Sequence, residues 1–310
     1  MQIIRGLYNL RPEHRGSALT IGNYDGVHRG HQAVLETLGV RARQLGVATT
    51  VVTFEPTPQE YFGGDRAPSR LMRLRDKLLA LQELGVERVL CLHFDRALAS
   101  LSAEHFIERV LVQGLGARHV VVGADFRFGS GRKGDLPLLA AAGARSGFSV
   151  AAAPTYVLEG ERVSSTAVRN ALAIGDLERA RRLLGRRYHI CGRVIGGQRL
   201  GRALGYPTAN MALGRLVCPL HGIFAVRVAG ADDGWRPGVA SLGTRPTLGG
   251  GELLLEAHLF DFDADLYGRR LDVEFVAKLR DEERFESTEA LTVQMRRDEA
   301  QARAILARAH

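Results

Sequence analysis

The chain has 310 residues, 45% of them hydrophobic and 25% charged, which is typical of globular proteins and long enough for two domains. The formal net charge of +8 is spread over interspersed basic and acidic residues with no isolated basic block, so the charge alone decides little, and we expect no nucleic-acid partner. No apolar run is long enough for a membrane helix, no secretory signal is visible, and the three cysteines lack disulfide or zinc spacing, so we expect a cytoplasmic protein with no membrane segment.

Residues 17–155 alternate short apolar runs with longer amphipathic ones, the order typical of a parallel sheet covered by helices. Runs such as TTVVTF are continuously apolar, which indicates strands buried on both faces. The predicted strands are Ala18–Gly22, Ala48–Phe54, Arg88–Phe94, His119–Gly123 and Phe148–Ala153. The predicted helices are Gln32–Leu45, Ser69–Leu84, Ser102–Leu115 and Leu136–Arg145, with Ser69 and Ser102 at N-cap positions. Residues 1–186 are therefore predicted to form a Rossmann-like α/β domain.

The stretch GNYDGVHRGHQ follows the first predicted strand and opens a helix. A helix N-terminus offers unpaired N–H groups to a phosphate, and His28 and His31, three residues apart, lie on one helical face. Gly30 between them leaves room for close approach of a nucleotide. The pattern predicts a site that stabilises charge on a transferring phosphate. A structural turn with two surface histidines is the alternative.

Further along, Arg162-Val163-Ser164-Ser165-Thr166 to Arg169 places hydroxyls and basic residues at the start of a helix, suited to a departing pyrophosphate or to an ordinary Ser N-cap. Two loops follow strand ends, where ligands bind in open α/β sheets. Phe62 and Phe128 in those loops favour contact with a flat ring slightly over core packing.

After about residue 186 glycine becomes frequent and apolar residues alternate with polar ones in HICGRVI, GIFAVRVA, ELLLEAHLF and LDVEFVAKL. No helical run separates these segments, so residues 187–310 are predicted to form an all-β domain, a small antiparallel barrel. An amphipathic helix over Ser287–Ala307 closes the chain.

The barrel half contains GRALGYPTAN, whose glycines allow backbone amides to close over phosphates. Thr208 and Asn210 are alternate residues with the hard oxygen atoms that Mg²⁺ prefers. A turn-rich edge of the barrel with no ligand is the alternative for this segment. Glu256 interrupts an apolar strand. The pattern alone leaves open whether it points inward as a general base or outward, with His258, to solvent.

The ordered set of GNYDGVHRGHQ, TFEPTPQEYF, VVGADFRFG, RVSSTAVR, GRALGYPTANM, GTRPTLGG and LEAHLFDFDADLYG resembles the bifunctional bacterial riboflavin kinase/FMN adenylyltransferase family over nearly the whole chain. The resemblance implies that the first half is a nucleotidylyltransferase that makes FAD from FMN and ATP and releases pyrophosphate. It implies that the barrel half is a kinase that makes FMN from riboflavin and Mg²⁺–ATP. Ala124 and Ser241-Leu242 depart from the residues usual in the family.

The resemblance also implies roles for individual residues. It assigns the ATP phosphates to His28 and His31, and the base that activates the ribityl hydroxyl to Glu256. It assigns Mg²⁺ to Thr208 and Asn210. Further residues are expected to bind ATP and its phosphates: Gly22, Asn23, Gly30, Arg162, Ser164, Ser165, Thr166, Arg169, Gly201, Arg202 and Gly205. Three are expected to contact flavin: Phe62, Asp125 and Phe128.

Two alternatives remain at this point. One is that a single half is active and the other is a retained scaffold. The other is a basic RNA-binding or regulatory module that senses flavin, although its aromatic residues do not form an interleaved basic stacking surface. The sequence gives no signal for the oligomeric state, and the expected partners are riboflavin, FMN and ATP.

Overall fold

The computed structural model describes residues 1–196, 205–213, 218–245 and 252–308. The chain forms two compact units. The first comprises Met1–Pro68 and Arg73–Ser164, and the second comprises Ser69–Met72 and Ser165–His310. The boundary predicted at residues 186/187 lies inside the second unit, because the helices of residues 165–184 pack with the chain that follows them. That boundary stays a prediction.

The first unit is built on a six-stranded parallel sheet with the order β1-β4-β3-β2-β5-β6. Its strands are β1 (Gln2–Arg5), β2 (Ser17–Ile21), β3 (Ala48–Glu55), β4 (Arg88–His93), β5 (Ala117–Gly123) and β6 (Ser149–Ala153). A short hairpin of β7 (Val157–Leu158) and β8 (Glu161–Arg162) follows. The predicted Rossmann-like α/β fold is confirmed. Strand β1 was not predicted, because it is a four-residue edge strand with a mostly exposed pattern and therefore carries no buried apolar run.

Strand β2 lies where the sheet order reverses. It pairs with β3 on one side and β5 on the other, and the chain then continues outward in opposite directions. All five β2 residues are buried, so the strand is a rigid support. In open α/β sheets the loops leaving such neighbouring strands part and form a crevice at their carboxyl ends. The loops after β2 and β5 are therefore placed to bind a ligand.

Helices of the first unit, α1 among them, pack against the sheet. These helices are α1 (Arg29–Leu45), α2 (Pro58–Gly63), α3 (Leu74–Glu83), α4 (Arg96–Ala99), α5 (Ala103–Phe106) and α6 (Leu136–Ser146). Helix α5 continues as a π-helix over Ile107–Gly114. Short 3₁₀ turns lie at Leu7–Asn9, Pro12–His14, Gly64–Arg66 and Ser130–Arg132. The predicted Ser102 N-cap is confirmed, since its side chain accepts the His105 N–H at 3.2 Å. The predicted start at Ser69 is wrong: α3 begins at Leu74, and Ser69–Met72 belong to the second unit.

The second unit begins with helices α7 (Ser165–Ala173) and α8 (Leu177–Leu184) and continues into a closed antiparallel barrel with the order β10-β13-β12-β11-β14-β9. The strands are β9 (His189–Ile195), β10 (Ala209–Ala212), β11 (Gly222–Ala229), β12 (Arg236–Arg245), β13 (Glu252–Leu259) and β14 (Arg270–Arg280). The predicted barrel is confirmed. Strands β10 and β12 were not predicted, because β10 has four residues and β12 contains Pro237 and two glycines, which weaken a strand pattern.

The chain closes with helix α9 (Thr288–Arg308), close to the predicted Ser287–Ala307. Its second half packs on the barrel, where Ala302 and Leu306 join a buried cluster with Ala225 and Phe260. Beside that cluster, Arg303 makes two hydrogen bonds to Asp261 at 2.9 and 3.0 Å. The helix is therefore part of the barrel's packing.

We expect Gly238→Ala to destabilise the barrel by about 1–3 kcal/mol, the usual cost of an extra methyl group in a packed region. A Cβ atom at Gly238 would clash with the His258 carbonyl oxygen on the neighbouring strand. The urea midpoint can be followed by fluorescence of Trp235, the chain's single tryptophan. Gly234→Ala is the matched control, since its Cβ would meet nothing within 4 Å. Equal midpoints for the two variants would contradict the expectation.

Candidate active sites in the two units

The turn between β2 and α1 is held by contacts from the strands beneath it. The Tyr24 hydroxyl lies 2.7 Å from Thr20 Oγ1 in a buried hydrogen bond, and burial raises the pKa of Tyr24 above its ordinary value. The Thr53 hydroxyl donates to the Asn23 carbonyl at 3.4 Å. At Gly22 a Cβ would lie 3.2 Å from the Tyr24 ring, so glycine lets that ring fold back under the turn.

His28 is the N-cap of α1, and its Nδ1 accepts the His31 N–H at 3.3 Å. Because Nδ1 is the acceptor, the proton of a neutral His28 ring is on Nε2, which makes that nitrogen a hydrogen-bond donor. The two imidazole rings stack with their centroids 3.7 Å apart and an interplanar angle of 13°. A Cβ at Gly30 would lie 3.2 Å from the His28 ring and 3.4 Å from the Val163 carbonyl oxygen. The structure therefore brings the predicted histidines together, and Gly30 permits their close packing.

The His31 ring is electrostatically unusual. Its Nδ1 is buried and has no hydrogen-bond partner within the described ranges. Burial lowers the pKa of His31 well below 6.5, and charge on His28 and Lys77 acts in the same direction. His31 is therefore a neutral ring at neutral pH.

Asp125, just after β5, and Arg162, at the end of β8, form an ion pair of 2.6 Å. The two side chains are 67% and 57% exposed, so solvent and ligands reach both. The hydrogen bond from Arg162 lowers the pKa of Asp125. Two residues expected to bind different substrates thus neutralise one another in this structure.

The aromatic residues have two different environments. Phe62 is 70% exposed and makes edge contacts with Phe94 and Tyr61, at centroid distances of 5.8 and 5.1 Å. Phe128 is 8% exposed and stacks on Phe126 at 5.3 Å within the core of the first unit. Sequence reasoning missed Phe94, although its position directly after β4 at the carboxyl edge of the sheet was an available signal.

The hydroxyl-rich segment spans the division between the units. Ser164 is the last residue of the first unit, whereas Ser165 and Thr166 begin α7 in the second. Arg169 in α7 donates to the Ser69 carbonyl, which ties the helix to the Ser69–Met72 segment.

In the barrel, Thr208 and Asn210 lie at the start of β10. Asn210 pairs with Glu256 across the β10–β13 ladder, and its amide nitrogen donates to the Thr208 carbonyl at 3.3 Å. Gly205 has φ +82°, a left-handed conformation that suits glycine. Gly201 and Arg202 lie outside the described residues.

Two cavities of about 420 Å³ each adjoin this strand, and Thr208 lines both. The first, here called the Asn210 cavity, is also lined by Asn210, Asp263, Asp265 and Tyr267. The second, here called the Glu256 cavity, is lined by Tyr206, Thr208, Ile223, Val239, Ser241, Glu256, His258, Arg280, Glu282, Glu283, Phe285, Leu291, Met295, Asp298 and Glu299. Sequence reasoning missed Asp263 and Asp265, though they lie in a motif that it quoted.

Glu256 points away from the barrel interior. Its strand neighbours Leu255 and Ala257 are fully buried, whereas Glu256 and His258 are partly exposed on the opposite face. The His258 ring, which lies 2.9 Å from the Pro207 carbonyl oxygen, lines the same cavity. The sequence left two orientations open for Glu256, into the barrel or out to open solvent, and neither describes it. Residues of α9 cover this outer face and form the other wall of the cavity.

No helix among the described ranges is long and apolar enough to cross a membrane.

Comparisons with known proteins agree on both halves of the chain. A family model described as FAD synthetase matches residues 10–167, and one described as riboflavin kinase matches residues 184–306. A protein of Pseudomonas fluorescens named bifunctional riboflavin kinase/FMN adenylyltransferase is 55% identical over 308 residues, covering 99% of this chain and 98% of that protein. A protein of the same name from Escherichia coli K12 is 49% identical over 304 residues, covering 98% and 97%.

A crystal structure described as a macrolide-efflux protein from Streptococcus pneumoniae matches with a TM-score of 0.84 and 28% identity, covering 98% of this chain and 99% of that one. The structural match shares the fold. The two sequence relatives carry the same name, and that name agrees with the descriptions of both family models.

We expect the free energy of unfolding of the first unit to fall as the pH drops below about 6.5, the ordinary pKa of histidine. The unfolded chain binds a proton at residue 31 in that range, while burial keeps the folded ring neutral. Urea unfolding at several pH values between 7.5 and 5.5 measures this slope, and His31→Gln should make it shallower. Identical slopes for the variant and the parent would contradict the burial argument.

Proposed function

We propose that the two sites described above divide the work of this protein, which belongs to the bifunctional riboflavin kinase/FMN adenylyltransferase family. The protein phosphorylates riboflavin to FMN with ATP and adenylylates FMN to FAD with release of pyrophosphate. Our proposal assigns the second reaction to the α1 N-terminus and the first to the two barrel cavities. The observation that carries it is that one unit has a helix N-terminus suited to phosphate, whereas the other has a cavity lined by a carboxylate that can act as a base.

In adenylyl transfer, a phosphate oxygen of FMN attacks the α-phosphorus of ATP and the bond to the β-phosphate oxygen breaks. We assign His28 Nε2–H and the first-turn N–H groups of α1 to the triphosphate. Gly22 and Asn23 form the turn in which that phosphate lies. His31 supports the His28 ring by stacking and stays neutral beside it. Stabilisation of the developing charge by fixed donors is the main contribution of such a site.

The remaining first-half assignments follow the same logic. Arg162 binds phosphate after leaving Asp125, which then contacts the flavin substrate together with Phe62. The burial of Phe128 in the core does not support the flavin contact predicted for it. Ser164, the last residue of the first unit, binds the departing pyrophosphate. The same role for Ser165, Thr166 and Arg169, which belong to the second unit, stays a prediction from the sequence. Support comes from the exposure of the Arg162–Asp125 pair and of the Phe62 ring.

In the kinase reaction, Glu256 takes the proton of the ribityl 5′-hydroxyl, whose oxygen attacks the γ-phosphorus as the bond to ADP breaks. The register opposite Asn210 supports this role, because it puts the carboxylate across from the strand that we assign to the nucleotide. Thr208, which lines both cavities, marks where phosphate donor and hydroxyl acceptor meet. Gly201, Arg202 and Gly205 are assigned to the ATP phosphates.

The donor set around Thr208 fits magnesium. The Thr208 hydroxyl and the Asn210 amide oxygen are hard ligands, and Asp263 and Asp265 line the same cavity. Within the described part of the chain no cluster of three or more His, Cys, Asp or Glu side chains forms a cage, which suits an ion that takes most ligands from phosphate and water. We infer that Thr208 and Asn210 hold Mg²⁺, which neutralises charge on the transferring phosphoryl group when bound.

We further propose that the protein is cytoplasmic and acts on small molecules without a nucleic-acid partner. All three cysteines are buried free thiols, which suits a reducing compartment. A flavin sensor or a chain with one inactive half is the competing interpretation. The stacked histidines, Asn210 and Glu256 favour two active halves, because a sensor has no use for both sets.

We expect His28→Ala to lower FAD formation from FMN by about 10²–10³-fold, the usual effect of removing one donor from a charge-stabilising site. FMN formation from riboflavin should be unchanged, because it takes place in the barrel. Chromatography of products from riboflavin, ATP and Mg²⁺ measures both steps. Loss of both activities in a folded variant would contradict the assignment.

We expect the converse for Glu256→Gln, which keeps the shape of the side chain and removes the base. FMN formation should fall by about 10²–10⁴-fold. FAD formation from added FMN should remain at the level of the parent. A variant that still phosphorylates riboflavin at the parental rate would exclude Glu256 as the base.

A further inference from the structure

A largely buried ion pair joins the barrel to α9 beside the Glu256 cavity. Arg280 is the last residue of β14, and Asp298 lies in the middle of α9. Arg280 Nε donates to both Asp298 carboxylate oxygens at 3.1 Å, and Nη2 donates to Oδ2 at 2.8 Å. The side chains are 16% and 5% exposed. Gln294 also donates to Asp298 Oδ1 at 2.8 Å, so the carboxylate is held from two directions.

Arg280 also organises the segment that leads from β14 into α9. Its Nη1 donates to the Asp281 carbonyl at 3.0 Å, and its guanidinium carbon lies 5.6 Å from the centre of the Phe285 ring. One side chain therefore connects the end of a barrel strand, the following segment and the helix. A bidentate guanidinium pair fixes orientation as well as distance.

These contacts lie in the wall of the Glu256 cavity. Arg280, Asp298 and Phe285 all line it, together with apolar side chains from the barrel, Ile223 and Val239, and from α9, Leu291 and Met295. Such a surface, apolar on two sides with a few polar groups, suits a flat aromatic ring. The distance between the barrel wall and the α9 wall of the cavity decides whether such a ring fits between them.

Packing of α9 does not by itself require this pair. The second half of the helix is already attached through Ala302, Leu306 and the exposed Arg303–Asp261 pair. A buried ion pair costs desolvation, and an apolar pair of similar volume often stabilises a fold as well or better. Asp298, in contrast, lines the cavity together with Leu291 and Met295, so the geometry of the pair bears on the substrate wall.

We propose that Arg280 and Asp298 are a positioning pair that sets the width of the Glu256 cavity and thereby the binding of the riboflavin ring, an inference that rests on the proposed function of that cavity. Neither residue touches the reacting atoms. Their effect passes through the placement of Leu291, Met295 and Phe285. The pair should therefore act on acceptor binding more than on the phosphoryl transfer itself.

The test compares three variants of the full chain: Asp298→Asn, Arg280→Lys and the control Asp261→Asn. Asp298→Asn keeps the shape of the side chain and removes its charge. Arg280→Lys keeps the charge and removes the planar guanidinium group that makes the bidentate hydrogen bonds. We expect either change to raise KM for riboflavin about tenfold, as loss of a preorganised binding wall does, with kcat within about twofold of the parent. Asp261→Asn breaks an ion pair of the same helix outside the cavity and should leave KM unchanged. Thermal unfolding and KM for FMN in FAD formation are measured alongside.

A raised riboflavin KM in the two cavity variants alone supports the proposal. Unchanged KM in both, an equal rise in the Asp261 control, or a fall in kcat with constant KM would overturn it. If Asp298→Asn fails to fold, Arg280→Lys decides. Failure of the cavity assignment is distinguishable, because in that case Glu256→Gln would retain FMN formation whatever the Asp298 result.

Discussion

Both sites depend on one constraint: a side chain that performs chemistry must be fixed by an element whose other face is buried. In the first unit, the five buried residues of β2 support the turn that leads to His28. The His28 side chain then satisfies the His31 N–H, one of the orphan donors of a helix start. In the second unit, closure of the barrel pairs every described strand with two neighbours, so Glu256 stands on the outer face of a rigid wall.

The sequence predicted the elements that have strong local signals. The histidines at the start of α1 were recognisable because a strand, a glycine-containing turn and a helix follow one another within a few residues. Strand β12 was missed because Pro237 and Gly238 weaken its pattern, and only pairing with β11 and β13 makes it a strand. The Arg280–Asp298 pair joins residues 18 apart on two elements, and no motif marks it. Contacts of this kind follow from packing rather than from pattern.

Glu256 shows why a period-two pattern is ambiguous at a covered surface. Alternation correctly separates Glu256 and His258 from the buried leucines of the same strand. It does not reveal that α9, which follows the strand by some thirty residues, covers the outward face and turns it into a cavity wall. The carboxylate is thus outside the barrel core but inside a pocket. A general base needs that intermediate environment. Full burial penalises its charged form, whereas in open water solvent molecules compete with the substrate hydroxyl for the carboxylate.

The chemical difference between the two nucleophiles accounts for the difference between the two sites. The phosphate of FMN carries between one and two negative charges at neutral pH, so its oxygen attacks without losing a proton. A site for that reaction needs hydrogen-bond donors and no base, and His28 with the first-turn N–H groups of α1 supplies such donors beside the neutral His31 ring. The ribityl hydroxyl of riboflavin, in contrast, must lose its proton as it attacks. A carboxylate opposite the Asn210 strand meets that requirement, and the same carboxylate placed beside the FMN phosphate would repel it. One set of residues is therefore unsuited to both reactions, and two separately built sites follow from the acidity of the attacking groups.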